Sequence, residues 1–285
     1  MKNNNILRTY IALNIILLLF AVITILPFLY IFSTSLLSDV NSLGNAVYLL
    51  PVEFNFQNYK EGWEIVRMGP AYMNSLIVAV ISGVLHLVIT TLAAFPLSRK
   101  RFPGSDFIKF AFLGTLFIPT QVILIPTLVI LKNMGLRGSL WGVILPALCD
   151  AFAIFVFVGF FKGIPKELEE SAKMDGCSEL MIFIRIYVPL SLAPIATIAL
   201  FHFLGVWNDV VLPALVLSGS LDKLTLAPLM TMFLNTGGAP TTKFLAPTPN
   251  IKAAVIIINL IPVLVLYAFV QRFFREGITL GALKG

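Results

Sequence analysis

Asp150, Trp207, Asn208 and Asp209 lie inside or beside long apolar runs, where polar side chains are expensive and tend to be functional. An ionised group at a bilayer centre costs roughly 2.5 to 3.5 kcal/mol on insertion scales, so each should face a water-filled path or a partner helix. A carboxylate and a carboxamide can accept from and donate to hydroxyls, and an indole face can lie against a sugar ring. Asp150 and Asn208 with Trp207 would therefore suit a polyhydroxylated solute. Plainer roles compete: Asp209 would also serve as a cap or structural partner near its helix end, and His86 and His202 suit hydrogen bonds between packed helices.

The solvent of those runs follows from composition. The chain is 58% hydrophobic and only 12% charged, with a mean hydropathy of +0.94. Soluble domains carry about 25% charged residues, so most of this chain belongs in a lipid bilayer. The net charge of +6 is spread through the loops rather than clustered with aromatics, which argues against a nucleic acid partner. Cys149 lies in an apolar run and Cys177 in a charged segment, a placement that does not suit a disulfide. No phosphate loop, HExxH, CxxC or dinucleotide fingerprint occurs, so we expect no catalytic residue, metal or cofactor on this chain.

Charge disappears for about 20 residues at a time, the helix length that crosses a hydrocarbon core. Six spans are expected, at about 11–36, 72–98, 108–131, 139–161, 189–217 and 252–271, in a single all-α membrane domain over 1–285. Barrel strands would alternate and open sheets would strand backbone groups in lipid, so all six read as helices. Prolines 96, 119, 126, 146, 189, 194, 213 and 262 fall within or near the spans, and some of them should mark kinks. The first run is too long for a signal peptide and is read as a retained helix. Lys and Arg gather at the N-terminus, near residue 100, in 162–188 and in 272–285, which places these segments and both termini in the cytoplasm.

The segment 162–188 concentrates charge, and it reads as two short helices joined by a turn. Pro165 suits a first helical position, Glu167, Glu169 and Glu170 enrich the first turn, and Leu168 and Ala172 share a face. Asp175-Gly176 is a helix stop. Periodicity alone leaves two possibilities, an amphipathic helix on lipid headgroups or one received by a protein groove.

Glu170, Ser171, Ala172, Gly176, Ile186 and Pro189 resemble the EAA signature of ABC importer permeases in both residue type and spacing. Ser171 replaces an alanine and Val188 a leucine, both small changes. "LLPVEFNFQNY" (49–59) looks like the extracellular strand of carbohydrate permeases, "FLGVWND" (203–209) like their fifth span, and "QRFFREGITLGALKG" (271–285) like the tail of maltose-type permeases. The resemblance implies the six-helix type I importer permease (MetI-like) fold in the plasma membrane. It implies that Glu170, Ser171, Ala172, Asp175, Gly176, Ile186 and Pro189 couple to a separate ATPase, and that Gly277, Ile278, Thr279, Gly281 and Gly285 in the tail contact it too. The implied partners are a second, non-identical permease, two ATPase subunits that bind ATP and Mg, an extracellular solute-binding protein and a carbohydrate. An intramembrane protease fits poorly, since "LSGSL" (217–221) lacks the GxSG order and no histidine follows it in a later span. An ion-coupled secondary transporter fits poorly as well, since no inverted repeat is visible.

Overall fold

The computed structural model describes residues 2–38, 48–99, 102–219, 221–236 and 248–282, and every regular element among them is helical. In chain order these are α1 (Lys2–Ser35), α2 (Gln57–Ile65), α3 (Met68–Arg99), α4 (Ser105–Thr115), α5 (Thr120–Asn133), α6 (Trp141–Ile144), α7 (Ala151–Lys162) and α8 (Lys166–Met174). Then follow α9 (Glu179–Ile182), α10 (Val188–Leu190), α11 (Leu192–Trp207), α12 (Val211–Val216), α13 (Leu226–Thr236) and α14 (Pro249–Ala282). By length and composition, Tyr10–Ser35, Met68–Arg99 and Pro249–Phe273 could each cross a membrane. Three bent pairs raise the number to six if each pair counts as one span.

The bends have chemical causes. α4 and α5 meet at 103°, where Pro119 holds φ −58 and ψ 134 just before α5. Proline disfavours a helical residue before it and lacks the N–H that would continue the ladder, so the expected span 108–131 is two helices rather than one. A 3-10 turn at Leu145–Leu148 and an extended Asp150 (φ −134, ψ 114) separate α6 from α7 by 40°. Pro189 cannot donate to the carbonyl of Arg185, and the preceding turn widens to a π-helix at Phe183–Tyr187. The expected span 189–217 also divides, because α11 ends at Trp207 and α12 begins afresh at Val211. Pro96, Pro126 and Pro262, by contrast, stay inside α3, α5 and α14.

The contacts divide the chain into two compact units, Met1–Met68 with Met232–Pro262 and Gly69–Thr231 with Val263–Gly285. In the first unit, a pair of buried asparagines ties three segments. Asn58 Nδ2 donates to the carbonyls of Ser35 (2.9 Å) and Leu37 (2.8 Å), the freed acceptors at the end of α1. Asn250 Nδ2 donates to Leu37 O (3.2 Å) and to Asn58 Oδ1 (2.9 Å). The stretch 49–59, expected as a strand, is irregular as far as Phe56 and enters α2 at Gln57, with Asn55 N–H donating to Leu36 O at 2.8 Å. α1 exposes apolar side chains all round from Tyr10 to Leu29, a surface suited to lipid.

The second unit carries an aromatic core between α3, α7 and the entry to α10. Phe157, Phe161 and Tyr187 are fully buried. The Tyr187 ring sits edge-on to Phe95 (4.8 Å) and Phe161 (5.4 Å), the arrangement that ring quadrupoles favour. A second cluster joins Val78, Leu131, Val143, Ile144 and Val216.

Candidate functional site: an exposed helix and a membrane cavity

α8 is short, charged and sharply ended. Glu167 and Glu169 occupy its first turn and Lys173 its last, as the helix dipole favours. It stops in a Schellman motif: Gly176 N–H donates to Lys173 O and Cys177 N–H to Ala172 O, both at 3.0 Å. Gly176 sits at φ +79, the left-handed region that the motif requires. Ser178 then caps α9, its Oγ accepting from Met181 N–H at 3.3 Å.

The two edges of α8 differ. Ala172 packs against the aromatic core, and Ile186 joins it from the π turn. Glu170, Ser171, Asp175 and Gly176 are exposed, with Met174 89% exposed beside them. Leu168, four residues before Ala172 on α8, is 44% exposed. Pro189 is exposed at the bend into α11. The signature residues therefore do two jobs, some presenting a surface and Ala172 and Ile186 bracing it from within.

Glu169 anchors the buried edge. Its carboxylate accepts from Tyr187 Oη (3.0 Å) and Lys173 Nζ (2.7 Å), and Arg99 Nε lies 3.9 Å away. Arg99 also donates to the carbonyl of Ile164 and lies 5.0 Å over the Tyr187 ring. Burial pushes the Glu169 carboxyl up, but the Lys173 and Tyr187 hydrogen bonds and the Lys173 and Arg99 charges outweigh it and hold it below the ordinary carboxylate range. A carboxyl with a lower pKa folded than unfolded stabilises the fold above the unfolded value, and this stabilisation is lost as pH falls through the folded value. Amide protection across Lys166–Met174 is therefore expected to fall as pH drops below the ordinary glutamate range, and to fall less in Glu169→Gln. Hydrogen exchange corrected for intrinsic rates measures it; equal pH dependence in both chains would refute the assignment.

The polar groups of the apolar runs are dispersed. Asp150 Oδ1 accepts from Phe152 N–H at 2.9 Å and caps α7. Leu148 O, set free by the same break, bonds to His86 Nδ1 at 3.2 Å. His86 stacks on His202 (4.2 Å), which bonds through Nε2 to Ser82 Oγ at 2.9 Å. Trp207 is 2% exposed, stacked on Phe203 (5.4 Å) and edge-on to Tyr72 (5.5 Å), so its ring is covered by protein. Asn208 Nδ2 donates back to Leu204 O at 2.9 Å. Asp209 Oδ1 accepts from Val211 N–H at 3.0 Å and lines a cavity of about 380 Å³. Thr120, Gln121 and Thr127 supply further polar groups to that cavity, whose remaining wall is apolar. Asp209 alone of the four sequence candidates reaches it.

The family model described as "Binding-protein-dependent transport system inner membrane component" matches residues 86–279, which include α8, Arg99, Tyr187 and the cavity. The chain belongs to that family. The permease is 32% identical over 268 residues to Protein LplC of Bacillus subtilis, covering 92% of this chain and 90% of that one. It is 33% identical over 282 residues to the Bacillus subtilis polygalacturonan/rhamnogalacturonan transport system permease protein YtcP, covering 94% and 96%. Among solved structures it superposes on a bacterial ABC transporter involved in the import of the acidic polysaccharide alginate. That match has a TM-score of 0.80 and 27% identity, over 94% of this chain and 97% of that chain. The permease is thus a multi-pass membrane protein with the type I importer fold expected from its sequence.

Sequence reading of the permease missed Arg99, Tyr187, Gln121 and the cavity threonines. Arg99 offered a faint signal as a cation closing a long apolar run, whereas Tyr187 sat inside the signature between Ile186 and Pro189 without a role. In the tail, Gly277, Ile278, Thr279 and Gly281 continue the backbone of α14, and Gly285 lies outside the described residues.

Proposed function

We propose that the permease is one of two non-identical transmembrane subunits of an ATP-driven importer that carries a carbohydrate across the cell membrane. The observation that carries the energy-coupling part is α8 itself: a charged helix braced on one edge and exposed at Glu170, Ser171 and Met174 on the other. Such an edge suits a groove in a separate ATPase subunit, and the α14 extension offers a second contact. Two ATPases bind ATP and Mg, a loaded binding protein docks on the opposite face, and closure of the ATPases moves α8. Both termini lie in the cytoplasm on this reading, as the Lys and Arg distribution favours. The carbohydrate assignment is supported by relatives named for polysaccharide transport.

The cavity suits a polyhydroxylated solute. Among the described residues of its lining, Asp209 stands beside the hydroxyls of Thr120 and Thr127 and the amide of Gln121. A carboxyl oxygen accepts from sugar hydroxyls, and the hydroxyls and amide beside it both accept and donate, so the lining fits a saccharide. Asp209→Asn keeps a capping acceptor for α12 and removes the charge. It is expected to raise the uptake KM about ten-fold while assembly stays normal, the loss of one charge-assisted hydrogen bond. Unchanged KM would remove Asp209 from the path.

Purification through a tag on this chain tests the whole reading. Two ATPases, a second permease and a binding protein should co-purify, and the binding protein should bind oligosaccharides by calorimetry. A partner set without an ATPase overturns the proposal.

A further inference from the structure

We propose that Arg99 is a positioning residue that latches the docking helix to α3 and to the entry of α10, and that this latch has two lengths. The inference rests on α8 being the docking element. Arg99 is the last residue of α3, and its side chain is 5% exposed. It touches three points on two other segments: the Ile164 carbonyl just before α8, the Glu169 carboxylate on α8, and the Tyr187 ring in the π turn. Tyr187 closes the triangle by donating its hydroxyl to the same Glu169 oxygen that faces Arg99. A push on α8 therefore reaches both elements through Glu169.

The geometry is unfinished in one respect. Arg99 Nε is buried and has no hydrogen-bond acceptor among the described residues, with Glu169 Oε2 3.9 Å away. A buried charged donor without an acceptor is costly, and hydrogen-bond length lies about 1 Å shorter. A slide of α8 towards α3 by that amount converts a loose ion pair into a charge-assisted hydrogen bond. Two discrete arrangements of one joint are what an element needs if a bound partner is to bias its equilibrium. Residues separated by 70 positions, Arg99 and Glu169, would then carry the movement from the loop into a membrane-crossing helix.

The experiment uses the complex purified through a tag on this chain, with its binding protein and saccharide. Glu169→Gln, Arg99→Gln and the isosteric Tyr187→Phe are compared with Glu170→Arg on the exposed edge of α8. Latch variants should retain the ATPases and keep basal hydrolysis within about two-fold, while binding-protein stimulation falls about ten-fold, as expected for a lost charged hydrogen bond. The Arg99→Gln and Glu169→Gln double variant should be no worse than the poorer single one, the mark of one shared interaction. A brace with no part in transmission would leave the stimulated-to-basal ratio untouched. Normal stimulation in both Glu169→Gln and Tyr187→Phe overturns the latch. Loss of the ATPases from Glu169→Gln does so too, because the carboxylate then belongs to the docking surface. Glu170→Arg should shed the ATPases; if it retains them fully, the docking reading falls and the latch with it.

Discussion

Gly176→Val is expected to reduce uptake more than about ten-fold, although the chain should still reach the membrane in normal amount. A Cβ at this position meets nothing within 4 Å, so steric contact with neighbours is not the cause. The cause is the backbone: φ is +79, and a left-handed conformation costs roughly 1 to 2 kcal/mol for an ordinary residue and more for a β-branched one. Valine therefore drives the turn into another conformation, and the bonds from Gly176 and Cys177 to the last carbonyls of α8 are lost. Glu170 and Ser171 then no longer sit at a fixed angle to the core that Ala172 and Ile186 grip. Gly176→Asn is the control, because asparagine enters the left-handed region at small cost. Uptake into vesicles and recovery of the ATPases with the tagged chain measure the effect. Full substrate-stimulated hydrolysis in the valine variant would show that docking does not depend on this turn.

The charged helix α8 was legible because its signals are local. Acidic residues at one end, Asp175-Gly176 at the other and the spacing to Pro189 all lie within a short stretch. The apolar runs were legible for a similar reason, since hydropathy averages over about 20 residues. What averaging cannot show is a break inside a run. The 103° bend before Thr120 turns on the single backbone state around Pro119, whereas Pro96 and Pro126 sit inside continuous helices. The division after Trp207 depends on Asp209 taking the amide of Val211, a bond that an aspartate in a span suggests but does not require. The latch was hidden because Arg99, Ile164, Glu169 and Tyr187 come from separate elements with no shared period. The polar candidates were singled out as expensive groups, yet Asp150 and Asn208 spend their polarity on the backbone and Trp207 spends its ring on Phe203 and Tyr72.

The largest loss of stability is expected from Asn58→Leu, about 3 kcal/mol, read as a fall in the thermal midpoint of the purified complex. The substitution keeps the number of side-chain heavy atoms and the branch at Cγ, so the penalty is chiefly one of unpaired polarity. Asn58 is 3% exposed and its amide holds the carbonyls of Ser35 and Leu37. These acceptors have no intrahelical donor, because they lie at or beyond the end of α1, and a buried one left without a bond costs about 1 to 3 kcal/mol. The same change removes the acceptor of Asn250, whose remaining bonds run to Leu37 O and Ser38 O at 3.2 and 3.4 Å. Asn58→Asp keeps an acceptor for Asn250 but turns a buried carboxylate oxygen towards the carbonyls of Ser35 and Leu37. It should be at least as destabilised as the leucine variant, because an uncompensated buried charge costs more than a lost hydrogen bond. A leucine variant as stable as wild type would mean that these carbonyls find water when the amide is gone, and that the three segments are held by apolar packing instead.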